Sequence, residues 1–325
     1  MNRLWQALVG IARRVVGWLP TTVDRRVRVI AWASLVSQTL IVGTGGAVRL
    51  TGSGLGCPTW PRCTEDSFVA TPEMGIHGIV EFGNRLLTFV LVIIAILAFL
   101  FVVRMRRERP ELLRLTIALG LGIPAQAVIG GITVLTQLNP WVVGFHFVVS
   151  AVLVALAVVF VHRVYRGRTT GELAVPPAVR ALALATALGA WVTVLIGIVV
   201  TGSGPHAGDG GAARNGLDSE LLQHVHSWPA YLTVGLSVVL LITAIRIGRA
   251  PLRRAATGLV AVEVAQIVVG IAQARLGLPE LLVGIHMVLA CVLIALATLC
   301  LLALRRSESE STATASPAEL AGAAR

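Results

Sequence analysis

Eight apolar runs dominate the sequence, at residues 28–48, 78–103, 111–136, 141–164, 178–201, 220–246, 252–275 and 280–304. Each is close to the roughly 20 residues needed to cross a bilayer as a helix. The expected fold is therefore an all-α integral membrane protein with eight transmembrane helices. Composition agrees. Hydrophobic residues make up 56% of the 325-residue chain and charged residues only 13%, where a soluble domain carries roughly 25% charged residues. The mean hydropathy is +0.83. A formal charge of +11 is then no sign of nucleic-acid binding. Its partner is the lipid bilayer, and it sorts the loops. Every basic residue is Arg. Most sit in the N-terminal segment and in "RMRRERPELLR", "HRVYRGR", "RIGRAPLRR" and "RRSESES", while the alternate loops hold only Arg49, Arg62, Arg214 and Arg275. The positive-inside rule then makes both termini cytoplasmic. Residues 1–27 read as a cytoplasmic segment before an uncleaved first span, because no small-residue cleavage site follows the run. Residues 165–177 read as a cytoplasmic linker. Residues 305–325, polar and rich in small residues, read as a disordered cytoplasmic tail.

The chain repeats itself. Residues 128–157 lie over 268–297 at an offset of 140, and Gly130, Gly144, His146, Val152, Leu153 and Leu156 all recur. "TGSG" occurs at 51–54 and again at 201–204. "VEFGNRLLT" lies opposite "LLQHVHSWP", with Asn84 facing His226. Shared apolar letters alone could be chance in a membrane protein, but coinciding Gly and His positions are not. Each half, 28–164 and 178–304, is thus a four-helix unit. Four is even, so both halves enter the membrane in the same direction. The result is two pseudo-symmetric four-helix bundles related by an axis along the membrane normal.

Polar groups recur at one depth. His146, His226, His286 and Asn84 each lie about six residues into a span, roughly 9 Å below the outer boundary at 1.5 Å per residue. Polar groups inside a span are costly and point to function. Two imidazoles on neighbouring helices suit the opposite faces of one haem, and haem suits the inside of a four-helix bundle. Zinc would need three or four converging ligands, and His224, two positions from His226, points away. The second half therefore offers a bis-His pair, His226 with His286, and the first an incomplete one, His146 with Asn84.

These residues resemble the haem A synthase family. The resemblance runs from about residue 28 to 305 and rests on "GGAVRLTGSGLGCPTWPRC", "EFGNR", "VTGSGPHAGD" and the histidines of helices four, six and eight. It implies an enzyme, an oxidoreductase acting on a CH group, that converts haem O to haem A for cytochrome oxidase by oxidising a porphyrin methyl to a formyl group. It implies haem b as cofactor in the C-terminal bundle, with His226 and His286 as axial ligands. Substrate haem O would sit in the N-terminal bundle, close to His146 and Glu81, and Glu81 would be catalytic. The family commonly has a His three residues after this Glu, and here position 84 is Asn. Three readings follow: a substrate haem held by His146 alone with Asn84 hydrogen-bonding nearby, ligation by His77 about 10 Å along the helix, or a water held by Asn84.

The remaining candidates lie toward the outer face. Cys57 and Cys63 sit in a loop expected in an oxidising compartment, where a disulfide suits them, either as a staple or, as the resemblance implies, as a redox pair. His206 and Asp209 are placed to bind haem propionates, order their loop or relay protons. Arg49 and Arg85 are placed to pair with haem carboxylates or to snorkel at the interface. The localisation expected is a bacterial plasma membrane, with haem sites toward the outer face. Expected partners are haem O and the enzyme that makes it, the cytochrome oxidase assembly pathway and an electron acceptor whose identity the sequence does not reveal. The oligomeric state stays open, a homo-oligomer included. A di-haem electron-transfer protein or a haem-carrying chaperone without haem chemistry is the alternative. Glu81 beside an incomplete ligand pair favours the enzyme.

Overall fold

The computed structural model describes residues 2–307. Eight long helices carry the fold: α2 (Arg25–Leu50), α3 (Gly75–Val103), α4 (Pro110–Leu135), α5 (Pro140–Arg166), α6 (Pro177–Ser203), α7 (Ser219–Arg246), α8 (Ala250–Arg275) and α9 (Glu280–Leu302). All eight are long and apolar enough to cross a membrane, and this is a multi-pass membrane protein. Hydrocarbon has no partners for backbone polar groups, so a spanning chain must close its hydrogen bonds within each helix. It also leaves apolar side chains free to face outward, as Leu121, Leu188 and Val268 do. Local chemistry sets the ends. Pro110, Pro140 and Pro177 open helices where no amide donor is missed. Asp24 caps α2 through the Val27 amide at 3.1 Å, and Asp218 caps α7 through the Glu220 and Leu221 amides.

Packing follows the repeat. In the first half α2 packs on α3, α3 on α4, α4 on α5 and α5 back on α2; α6 to α9 close the same ring. The bundles meet along α5 and α9, with α2 against α9 and α5 against α6 completing the seam. Each has its own buried cluster. Val27, Ala31, Val102, Leu112 and Phe160 belong to the first, and Ala183, Leu240, Leu252, Leu259 and Ile294 to the second. Both clusters fill the end of the bundle that carries the chain termini. They thin out toward the opposite, outer end, at the level of the polar residues singled out above.

The segments outside the spans are more ordered than expected. Asn2–Trp18 forms a helix, α1, where the sequence suggested only a cytoplasmic segment. Its C-terminal end is fixed against α3. Arg104 donates to the carbonyls of Val16 and Leu19, both at 2.9 Å, and Trp18 stacks edge-on against Phe101. In the linker, Thr169–Leu173 (β1) pairs antiparallel with Arg305–Ser307 (β2). The first residues of the expected disordered tail are therefore a strand, because the linker offers them backbone partners. Residues 308–325 lie outside the described residues.

At the outer end the two halves are tied through their loops. Arg49, at the end of α2, donates to the Thr201 carbonyl at 2.9 Å and to the His206 carbonyl at 2.7 Å. The Gly54 amide of the first "TGSG" donates to the Gly208 carbonyl at 2.7 Å. Removing a charged donor from such carbonyls costs about 1.5–3 kcal/mol per bond. Arg49→Ala should lower the melting temperature of the detergent-solubilised protein clearly, and Arg49→Lys should lower it less.

Candidate functional site

The four polar residues at one depth stand on α3, α5, α7 and α9. Each sits against a glycine on the preceding helix. A methyl placed on Gly197 of α6 would lie 2.9 Å from Cε1 of His226; one on Gly130 of α4 would lie 3.3 Å from Cε1 of His146; one on Gly270 of α8 would lie 3.5 Å from Cε1 of His286. Gly45 of α2 stands in the same relation to Asn84, whose Nδ2 would be 3.9 Å away. Bare backbone gives the rings room to lie close to the neighbouring helix. In the second bundle the rings of His226 and His286 have centroids 6.4 Å apart, inclined at 73°. Two imidazoles bound through metal–nitrogen bonds of about 2.0 Å on opposite sides of one metal would have centres roughly 6 Å apart. Nδ1 of His146, His226 and His286 is in each case buried with no hydrogen-bond partner. Buried polar atoms are normally paired, so these three unpaired ring nitrogens set the histidines apart from ordinary core residues. No cluster of three or more His, Cys, Asp or Glu able to hold a metal ion occurs among the described residues. Paired imidazoles beside bare glycine, above the packed ends of two bundles, fit a flat metallo-cofactor.

A second layer escaped the sequence reading. Gln126 on α4 donates to the His146 carbonyl at 3.3 Å, and Gln266 on α8 donates to the His286 carbonyl at 3.2 Å. Gln126 also bonds Ser150, whose hydroxyl reaches the same carbonyl at 3.0 Å. The two glutamines share the repeat offset of 140, and that signal was available just ahead of the aligned block. Glu263, buried on α8, was also missed. Its Oε1 accepts from Ser237 at 2.8 Å, and its Oε2 has no partner. Its counterpart in the first half is Ile123, so the repeat carried no hint of it.

The first bundle differs at α3. Asn84 Oδ1 accepts from the Thr44 hydroxyl at 2.7 Å. That bond takes one of the two lone pairs of the amide oxygen, and the NH2 is a donor only. This favours the arrangement with His146 as the only protein ligand. His77 is exposed at the start of α3, with Nδ1 2.9 Å from the Ser53 hydroxyl. There it lines an outer cavity of about 580 Å³ together with Gly52, Met74 and Asp209, and it does not enter the bundle.

Glu81 is buried within the first bundle, and its carboxylate is engaged. Oε1 takes Arg85 Nη2 at 2.6 Å, and Oε2 takes the Cys57 amide at 2.6 Å. Arg85 goes on to donate to the carbonyls of Cys57, Thr59 and Arg62. The pair thus clamps the "CPTWPRC" loop, which Cys57 and Cys63 close with a disulfide. Arg85 and Arg49 both spend their donors on protein carbonyls, the latter at the seam between the halves. His206 Nε2 lies 2.8 Å from the Leu278 carbonyl, tying its loop to the α8–α9 connection. Asp209 accepts from the Gly211 amide at 2.9 Å in a local turn. His224 is exposed, away from His226.

Fold and site together define a polytopic membrane protein built around paired intramembrane histidines. The model of the COX15-CtaA family, described as cytochrome oxidase assembly protein, matches residues 28–298, and the chain belongs to that family. Among named relatives, a "Heme A synthase" of Geobacillus thermodenitrificans is 31% identical over 119 residues, 37% of each chain. The protein of the same name from Geobacillus kaustophilus is 29% identical over 125 residues, 38% of each chain. That from Listeria welshimeri is 28% identical over 146 residues, 42% of this chain and 46% of the relative. The chain thus aligns with less than half the length of these relatives.

The glycine contacts carry a prediction. Supporting contacts around a metal ligand are worth about 10–100-fold in affinity. Gly197→Val should cut the haem retained per protein by at least about tenfold through displacement of His226. Gly235→Val, where an added methyl meets nothing within 4 Å, should leave it unchanged. Pyridine haemochrome assay of purified protein reads both.

Proposed function

We propose that this protein is a haem A synthase: it oxidises a methyl group of haem O to a formyl group, giving haem A for cytochrome oxidase. The observation that carries the reading is the pair of repeat-related sites. One has two facing imidazoles, and the other keeps one imidazole and replaces its partner by an amide held by Thr44, a poorer ligand than imidazole. A permanently bound redox cofactor gains from ligands on both faces. A porphyrin that arrives, reacts and leaves gains from one. In this reading His226 and His286 would hold haem b, which would supply electron transfer when bound. Haem O is the substrate of the first bundle, close to His146.

Residues of the chain take the following roles. His146 holds the substrate, with Gln126 and Ser150 fixing its backbone. Asn84 offers its NH2 as a hydrogen-bond donor inside the bundle. Glu81 is the acid–base candidate, since turning a methyl into a formyl group releases protons as well as electrons. Oε1 accepts two bonds from Arg85, while Oε2 accepts one from the Cys57 amide and keeps further lone-pair capacity. Arg85 and the Cys57 amide orient it. The cysteine pair closes the loop that lies over these groups. The membrane is proposed to be a bacterial plasma membrane, with both haem sites toward the outer face.

Expression beside a haem O source, followed by pigment extraction, tests the activity. Haem A or its hydroxylated precursor should accumulate, and Glu81→Ala should abolish it while haem b is retained. Haem O recovered unconverted by the wild type, alongside bound haem b, would leave the electron carrier or the haem chaperone as the reading. A spectroscopic prediction bears on ligation. Asn84→His should turn the first site into a six-coordinate, low-spin bis-imidazole site and slow turnover, and His286→Ala should remove the haem b spectrum. An unchanged spectrum in Asn84→His would count against a substrate haem above Asn84.

A further inference from the structure

We propose that Trp60 is a positioning residue of the first bundle: its indole closes the crevice beside His146, and it must leave its seat for a haem to enter or depart. The inference rests on the substrate role given above to that bundle. It starts from Gly131 of α4, which is buried. A methyl placed there would overlap the Trp60 indole, coming within 2.7 Å of Cγ. The ring therefore lies directly on the α4 backbone. Gly130, the next residue, is where His146 comes closest to the same helix, 3.3 Å from a placed methyl. Indole and imidazole thus occupy adjacent positions on one helix, at one depth. Sequence neighbours on a helix do not share a face, so the indole stands beside the imidazole and not over it.

The rest of the loop is anchored on α3. The Cys57 amide is held by Glu81, and Arg85 holds the carbonyls of Cys57, Thr59 and Arg62. Gly56 lies against the backbone at His77 and Gly78, where an added methyl would come 2.9 Å from the Gly78 amide nitrogen. One short loop, closed by Cys57–Cys63, thus grips α3 through its backbone and reaches α4 through the Trp60 indole. Such a bridge spans the α3–α4 face, and the indole is the part of it that can swing away.

The second bundle lacks this bridge. The counterpart of Gly131 is Ile271, which is 44% exposed. The loop between α6 and α7, residues 204–218, contains neither Trp nor Cys. The asymmetry matches what the two sites must do. A resident cofactor needs no door, whereas a bundle that takes in one large porphyrin and releases another does.

The test uses the full chain in lipid nanodiscs, loaded with haem O and haem b and mixed with excess apomyoglobin as haem acceptor. Chromatography of the extracted pigments separates the two haems. Trp60→Ala should release haem O at least about tenfold faster than wild type, the expected place for an affinity change being the off-rate. Trp60→Phe should stay close to wild type, and Gly131→Val, which evicts the indole without touching the loop, should behave as Trp60→Ala does. Release of haem b should not change in any variant, which also reports an intact fold. Equal haem O release from Trp60→Ala and wild type overturns the proposal, as does equal acceleration of both haems. A wild type that takes up no haem O would instead remove the substrate reading beneath it, and shows at the loading step.

Discussion

Polar side chains in the middle of an apolar bundle have to be covered, and here the cover comes from bare backbone. His146, His226 and His286 each lie against a glycine of the preceding helix, and Asn84 follows the same plan. No side chain at those glycines competes for the space, so the rings are set by helix packing and not by a network of side-chain hydrogen bonds. That leaves each Nδ1 unpaired. The glutamines behind His146 and His286 hold the helix carbonyl and not the ring.

Symmetry makes the departures informative. The bundles share their ring of helix contacts, the placement of their buried clusters and the Gln–His support. Among the places where they part, three concern polar groups. Asn84 is held by Thr44 where the other half has His226. The first outer loop carries a disulfide and the Glu81–Arg85 clamp. Glu263 and Ser237 appear only in the second half. The first two departures belong to one wall of one bundle, so the changes cluster where a substrate would meet the protein. Glu81 acquires a double character from this. It is buried near the proposed reaction, and it also keeps the covering loop in place. Loss of activity on its removal would therefore need the haem b signal as an independent measure of fold.

Much of the architecture was legible in the residues. Apolar runs of bilayer length located the eight helices to within a few residues, because a backbone in hydrocarbon has few alternatives. The recurrence of Gly130 with Gly270 and of His146 with His286 exposed the repeat. What stayed hidden depended on partners far away in sequence. The end of α1 is held by Arg104 and Phe101, and the strand at Arg305–Ser307 pairs with the linker. The Cys57 amide that takes one Glu81 oxygen lies 24 residues away in sequence.

The sequence by itself determined the number of spans, their repeat and the depth of the histidines, because each follows from local periodicity and hydropathy. It also singled out Asn84 as the odd member of the set. Only the tertiary structure decided which way the Asn84 amide turns, that His77 stays outside the bundle and that Arg49 binds the opposite half. These choices come from side chains competing for a small number of donors and acceptors across 24 to 157 residues of chain. No periodicity within a helix records them.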